Sequence, residues 1–186
     1  ISGNGVTTIV FGNCGIGFAP CPKEQRQFLI ELCEGVEDIP GAALSKGIKW
    51  NWETFPEFLD YLAGRPCAVD FGALVPHAAV RTFVMGLRGA EHAPAGGETV
   101  ADPVTAEDVE AMASVVDEAV RAGAMGFSCS RSVVHRDIRG NVVPGSFACR
   151  AEVDALAAAV ARAGGGVFET TSDFCEHLDS DPDGNE

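Results

Sequence analysis

A cysteine closes the first apolar run of this chain, in Gly5-Val-Thr-Thr-Ile-Val-Phe-Gly-Asn-Cys-Gly15. Val6 to Phe11 is β-branched and aromatic and reads as a strand, and Gly12, Gly15 and Gly17 mark the turn after it. In open parallel sheets and in βα barrels, active sites collect where the strands end, so a thiol at Cys14 faces a pocket. The competing reading makes Cys14 a small buried apolar residue, as free cysteines often are.

Three further strand ends carry polar groups. Ala68 to Val75 runs into Pro76-His77, the segment from Gly123 to Ser128 leads into Ser128-Cys-Ser-Arg-Ser-Val-Val-His135, and Val167 to Thr170 ends in Thr171-Ser172-Asp173. Thiolate and imidazole suit zinc, and a catalytic zinc keeps one position open for water. The same residues admit another chemistry, with Cys14 as a nucleophile activated by His77 in the manner of a thiol hydrolase. His77 also reads as a helix N-terminal residue with its ring in solvent. His135, His92 and His177 read as solvated loop or tail residues. A phosphate cradle is excluded, because Gly12-Asn-Cys-Gly-Ile-Gly17 has neither the dinucleotide spacing nor the Gly-Lys-Ser/Thr ending of a P-loop.

The elements that position these groups alternate. Lys23 to Glu34 carries a helical face of Phe28, Leu29, Leu32 and Cys33, with Pro22 suited to the first turn. Residues 35 to 52, broken by Pro40, Gly41 and Gly47, read as an irregular excursion. Thr54 caps a helix through Leu62, and a small helix spans Ala78 to Met85. Gly86 to Pro103 reads as loop. Thr105-Ala-Glu-Asp108 is a capping-box variant opening a helix with a stripe of Val109, Met112, Val116, Ala119 and Val120. Glu152 to Ala163 is an Ala-rich helix stopped by three glycines. Strands alternating with helices imply an α/β fold with parallel strands and right-handed crossovers. Four such units are about half of a (β/α)8 TIM-type barrel, which takes about 250 residues.

The 186 residues match one domain, and 46% hydrophobic with 22% charged residues is a globular composition. No apolar run approaches the ~20 residues of a membrane span. A net charge of −14 argues against nucleic acid, which needs clustered Lys and Arg. Seven cysteines without regular spacing and without a Cys-x-x-Cys pair do not form a disulfide framework, so a reducing cytoplasm is expected. The chain opens Ile1-Ser2-Gly3-Asn4 with no initiator Met, basic start or apolar h-region, which reads as a cut through a longer protein rather than a leader. Residues 1–173 are taken as a partial barrel domain and 174–186 as an acidic tail, disordered or truncated.

Gly5-Val-Thr-Thr-Ile-Val-Phe-Gly-Asn-Cys-Gly15, Ala73-Leu-Val-Pro-His-Ala-Ala-Val-Arg81 with Val84-Met-Gly86, and Ala122-Gly-Ala-Met-Gly-Phe-Ser128 together resemble the D-aminoacylase (N-acyl-D-amino-acid deacylase) branch of the amidohydrolase superfamily. The resemblance runs in order from about residue 3 to about residue 173. Cys21-Pro22 and the segment Leu32 to Pro40 are similar to a longer-chain subgroup. The resemblance implies a metal-dependent barrel that hydrolyses the amide of N-acyl-D-amino acids, with zinc or another divalent cation as cofactor. It implies that Cys14 is a metal ligand, that His77 is a substrate or more indirect contact, and that Ser128, Ser130 and Arg131 face substrate. Two departures accompany it. The family's His-x-His pair, a further His ligand and a catalytic Asp would lie outside these residues, and Thr171 stands where the family has a metal-binding His. A hydroxyl is a poor zinc ligand. The chain alone is therefore expected not to turn over substrate, needing the remainder of its own barrel, and its open edges are expected to make it aggregate or unfold readily. A diverged, non-catalytic barrel with a binding role is the other alternative.

Overall fold

The computed structural model describes residues 2–90 and 104–173. Four strands, β1 (Thr8–Phe11), β2 (Asp70–Pro76), β3 (Gly126–Arg131) and β4 (Val167–Ser172), form one sheet in the order β1-β2-β3-β4, every pair parallel. Helices fill the crossovers: α1 (Arg26–Glu37), α2 (Gly41–Gly47), α3 (Phe55–Ala63), α4 (His77–Met85), α5 (Ala106–Arg121) and α6 (Arg150–Arg162). Sequential parallel strands with helical crossovers are the half of an eight-stranded βα barrel that the alternation predicted.

Two capping boxes fix helix starts. The Thr54 side chain accepts from Glu57 N while Glu57 accepts from Thr54 N, and Thr105 and Asp108 repeat the exchange at α5. The α5 stripe meets α6 and the outer face of the sheet: Met112, Val116 and Ala119 join Phe127, Leu156 and Ala159 in a core from which water is excluded.

Several boundaries differ from the sequence reading. The excursion at 35–52 contains α2, because Pro40 and Gly47 stand at the ends of Gly41–Gly47 and do not interrupt it. β1 begins at Thr8, and α4 begins at His77 itself, directly behind Pro76. β3 continues past Ser128 to Arg131 and β4 past Thr170 to Ser172, since each completes hydrogen bonds with the other: Ser130 pairs with Thr171 and Arg131 with Ser172. Gly86–Ala90 forms a 3-10 turn, and the rest of the expected loop, with His92, lies outside the described residues, as do the acidic tail and His177. Among the described residues no helix is long and apolar enough to cross a membrane.

Candidate functional site

The turn after β1 crosses the inner face of the sheet and delivers Cys14 to the far strand. Residues 13–15 form a 3-10 turn with Cys14 in the left-handed region at φ 61°. Gly15, at φ 71°, lies so close to β3 that a Cβ there would sit 2.8 Å from Ser130 N and 2.9 Å from Cys129 Cα. Only a glycine permits that approach.

Alternation along the strands sorts the side chains. Ser128 and Ser130 face inward with their register partners Glu169 and Thr171, while Phe127, Cys129 and Arg131 face the helices. Ser128, fully buried, is the clamp of the turn: its hydroxyl donates to Gly12 O and accepts from Gly15 N at 3.1 Å. Glu169 Oε2 accepts Cys14 N–H at 3.0 Å. The Thr171 hydroxyl stands 3.1 Å from Cys14 Sγ and 3.2 Å from Glu169 Oε1. Ser130, also buried, accepts from Ser132 N at 3.3 Å. The strand-end groups of β1, β3 and β4 thus meet around one half-buried thiol.

Cysteines elsewhere differ in environment. Burial pushes the Cys21 thiol up to about 12 and the Cys33 thiol up to about 11, and it raises Cys129 as well, so these remain protonated packing residues. Cys67 and Cys149 are exposed, and all six described cysteines are free.

His77 is placed away from this cluster. Its ring is fully buried at the start of α4, with Nε2 2.7 Å from Glu152 Oε1 of α6 and Nδ1 without a hydrogen-bond partner. Glu152, itself fully buried, accepts Arg81 Nη1 at 2.9 and 2.7 Å through its two oxygens. Neither ring nitrogen bonds Cys14, so His77 is not placed to serve as the base of the thiol-hydrolase alternative. Arg131 is exposed on the helix side, where its guanidinium donates to Ala148 O at 2.8 Å. Sequence reasoning missed Glu169, Glu152 and Arg81. A carboxylate two residues before Thr171 in a strand was the available signal for the first, because i and i+2 share a face. Nothing local marks the other two, which meet across 71 residues.

Burial holds the His77 pKa below its usual 6.5, partly offset by the Glu152 contact. The unfolded chain then binds the proton more readily, so this histidine's contribution to stability is complete above about pH 6.5 and is lost as pH falls toward the lower folded value. Urea midpoints measured between pH 8 and 5 should fall more steeply for the wild type than for His77→Gln. An equal or shallower wild-type fall would contradict this.

Among the described residues no three His, Cys, Asp or Glu side chains are gathered closely enough to hold a metal ion. The donors that do meet are a thiol and a carboxylate, with a neutral hydroxyl between them. Both anionic types are zinc-compatible, so the cluster fits part of a divalent-metal site that needs further ligands.

No family model matches the chain. Known proteins do. It is 32% identical over 124 residues to a D-aminoacylase of Alcaligenes xylosoxydans, covering 67% of this chain and 21% of that protein. It is 33% identical over 126 residues to the N-acyl-D-aspartate deacylase of the same organism, covering 67% and 20%. The solved N-acyl-D-glutamate deacylase of Bordetella bronchiseptica, bound to zinc and a phosphonate mimic of the tetrahedral intermediate, superposes with a TM-score of 0.58 at 26% identity, over 91% of this chain and 28% of that one. Over most of its length the chain is similar to the D-aminoacylase branch of the amidohydrolases. A D-aminoacylase structure described as defining a novel subset of amidohydrolases matches with a TM-score of 0.55 at 27% identity, covering 89% and 28%. The chain therefore spans 20% to 28% of the length of these relatives.

Proposed function

We propose that the protein is a metal-dependent hydrolase of the amide bond in N-acyl-D-amino acids, in which Cys14 is a ligand of a divalent cation, zinc by preference. The observation that carries this reading is the convergence of Cys14, Glu169 and Thr171 on the inner face at the strand ends, in a chain whose relatives are D-amino-acid deacylases. When bound, the cation supplies Lewis-acid polarisation of the scissile carbonyl. The chain's own residues do the positioning. Ser128 pins the turn through two hydrogen bonds, Glu169 holds the Cys14 backbone in its left-handed conformation, and the neighbouring hydroxyl of Thr171 orients the sulfur.

Ser128 and Ser130 are assigned to the substrate side because they face inward beside that cluster, whereas Arg131 lies on the opposite face of β3, bonded to Ala148 O, and is not assigned there. His77 acts indirectly, holding α4 to α6 through Glu152. The substrate is a small N-acyl amino acid, and the remaining ligands come from the rest of the barrel. Free thiols and a net charge of −14 support a reducing, cytoplasmic location without nucleic-acid partners.

In the full-length protein, Cys14→Ala is expected to lower the release of free D-amino acid from N-acetyl-D-amino acids by at least about 100-fold, the upper end of what loss of an outer-shell partner alone costs. Dialysis against a chelator should abolish the wild-type activity, and zinc should restore it. Activity that survives chelation but is lost to iodoacetamide would favour a thiol hydrolase instead.

A further inference from the structure

Thr171 gives the end of β4 a hydroxyl, a poor metal ligand, yet β4 is not without a donor. Glu169 lies two residues earlier on the same inward face, opposite Ser128, and reaches the backbone N–H of Cys14. Its Oε2 is held by Cys14 N–H at 3.0 Å, which directs Oε1 toward the sulfur side of the turn. There the Thr171 hydroxyl lies between Oε1 at 3.2 Å and Cys14 Sγ at 3.1 Å. One hydroxyl proton serves two electron-rich atoms. Glu169 is half-buried and has no ion-pair partner among the described residues, although carboxylates withdrawn from water are ordinarily paired or bound to metal.

We propose that Glu169 is the metal donor of β4: its carboxylate and the Cys14 thiolate together hold the cation, and Thr171 serves as the hydrogen-bonding group beside them. The inference rests on the metal reading of Cys14 given above. Carboxylate oxygen binds zinc at about 2.0–2.2 Å and thiolate sulfur at about 2.3 Å, so the pair is chemically matched to one ion. Binding displaces the thiol proton to solvent, and the cation takes up the charge of both donors. A carboxylate in place of an imidazole makes this half of the site more anionic than a Cys and His pair, which strengthens its hold on a hard divalent cation.

The test is a titration of the full-length protein with Co(II), read by the thiolate-to-cobalt charge-transfer absorption in the near ultraviolet, a signal that requires Cys14 and no turnover. Wild type should show the band and Cys14→Ser should lose it. Glu169→Gln keeps the side-chain size and an oxygen that accepts Cys14 N–H while removing the anionic donor. It should weaken cobalt binding at least tenfold, whereas Glu169→Asp should bind more tightly than Glu169→Gln, and Thr171→Val, which removes a hydrogen bond to the donors and no donor, should weaken binding less than Glu169→Gln does. Wild-type affinity in Glu169→Gln, with the band still absent in Cys14→Ser, overturns the role of Glu169 and leaves Cys14 as a ligand. No band in the wild type overturns both.

Discussion

Glu152→Ala is expected to destabilise the protein by about 3–5 kcal/mol, since it leaves a buried guanidinium without its carboxylate. The Arg81 side chain is 2% exposed and that of Glu152 0%, with the two joined at 2.7 Å and the His77 ring bonded to the same carboxylate. Removing the acid takes hydrogen bonds from both partners at once, and neither reaches water in exchange. The pair also ties α4 to α6 across the third βα unit, so the loss falls on the whole packing of the half barrel and not on one helix. Urea unfolding should show the midpoint falling with the slope unchanged. A shift worth less than about 1 kcal/mol, the scale of a surface ion pair, would show that the network is solvated in solution. Glu152→Gln, which retains hydrogen-bonding capacity without charge, should unfold almost as readily, because what Arg81 loses is the counter-charge.

Gly126→Ala carries the second large effect, and it acts on the site as well as on stability. Gly126 begins β3 at φ 147°, where a side chain is strained, and a Cβ there would fall on Val167 O and lie 2.6 Å from Val167 N. Backbone has no rotamer with which to move aside. The substitution must part the first residues of β3 and β4, whose register starts at Gly126 and Val167 and continues to Arg131 and Ser172. A cost of about 1–3 kcal/mol follows from the dihedral strain alone, with lost strand pairing added to it. Glu169 and Thr171 ride on β4, so they should withdraw from Cys14. The expected result is a lowered unfolding midpoint together with faster alkylation of Cys14 by iodoacetamide. Unchanged midpoint and unchanged alkylation would mean that the strand entrance adapts without cost.

The sequence by itself determined the alternation of strands and helices, the two capping boxes and the position of Cys14 at a strand end. These depend on near neighbours: β-branched runs, glycines at turns, Thr three residues before Glu or Asp. The resemblance to D-aminoacylases was legible for the same reason, being carried by short contiguous motifs at strand ends. The resemblance in turn marked Thr171 as a departure.

Tertiary structure decided which of the strand-end groups share a site. His77 and Cys14 follow corresponding strands and look equivalent in the chain, yet the helix that begins at His77 turns its ring toward Glu152, 75 residues away, while the glycine turn carries Cys14 to Glu169, 155 residues away. Ser128 and Arg131 lie three residues apart in one strand and face opposite sides, because alternate residues of a strand point to opposite faces. No local pattern encodes such meetings. They follow from the register of four parallel strands, which is fixed only when the whole sheet forms.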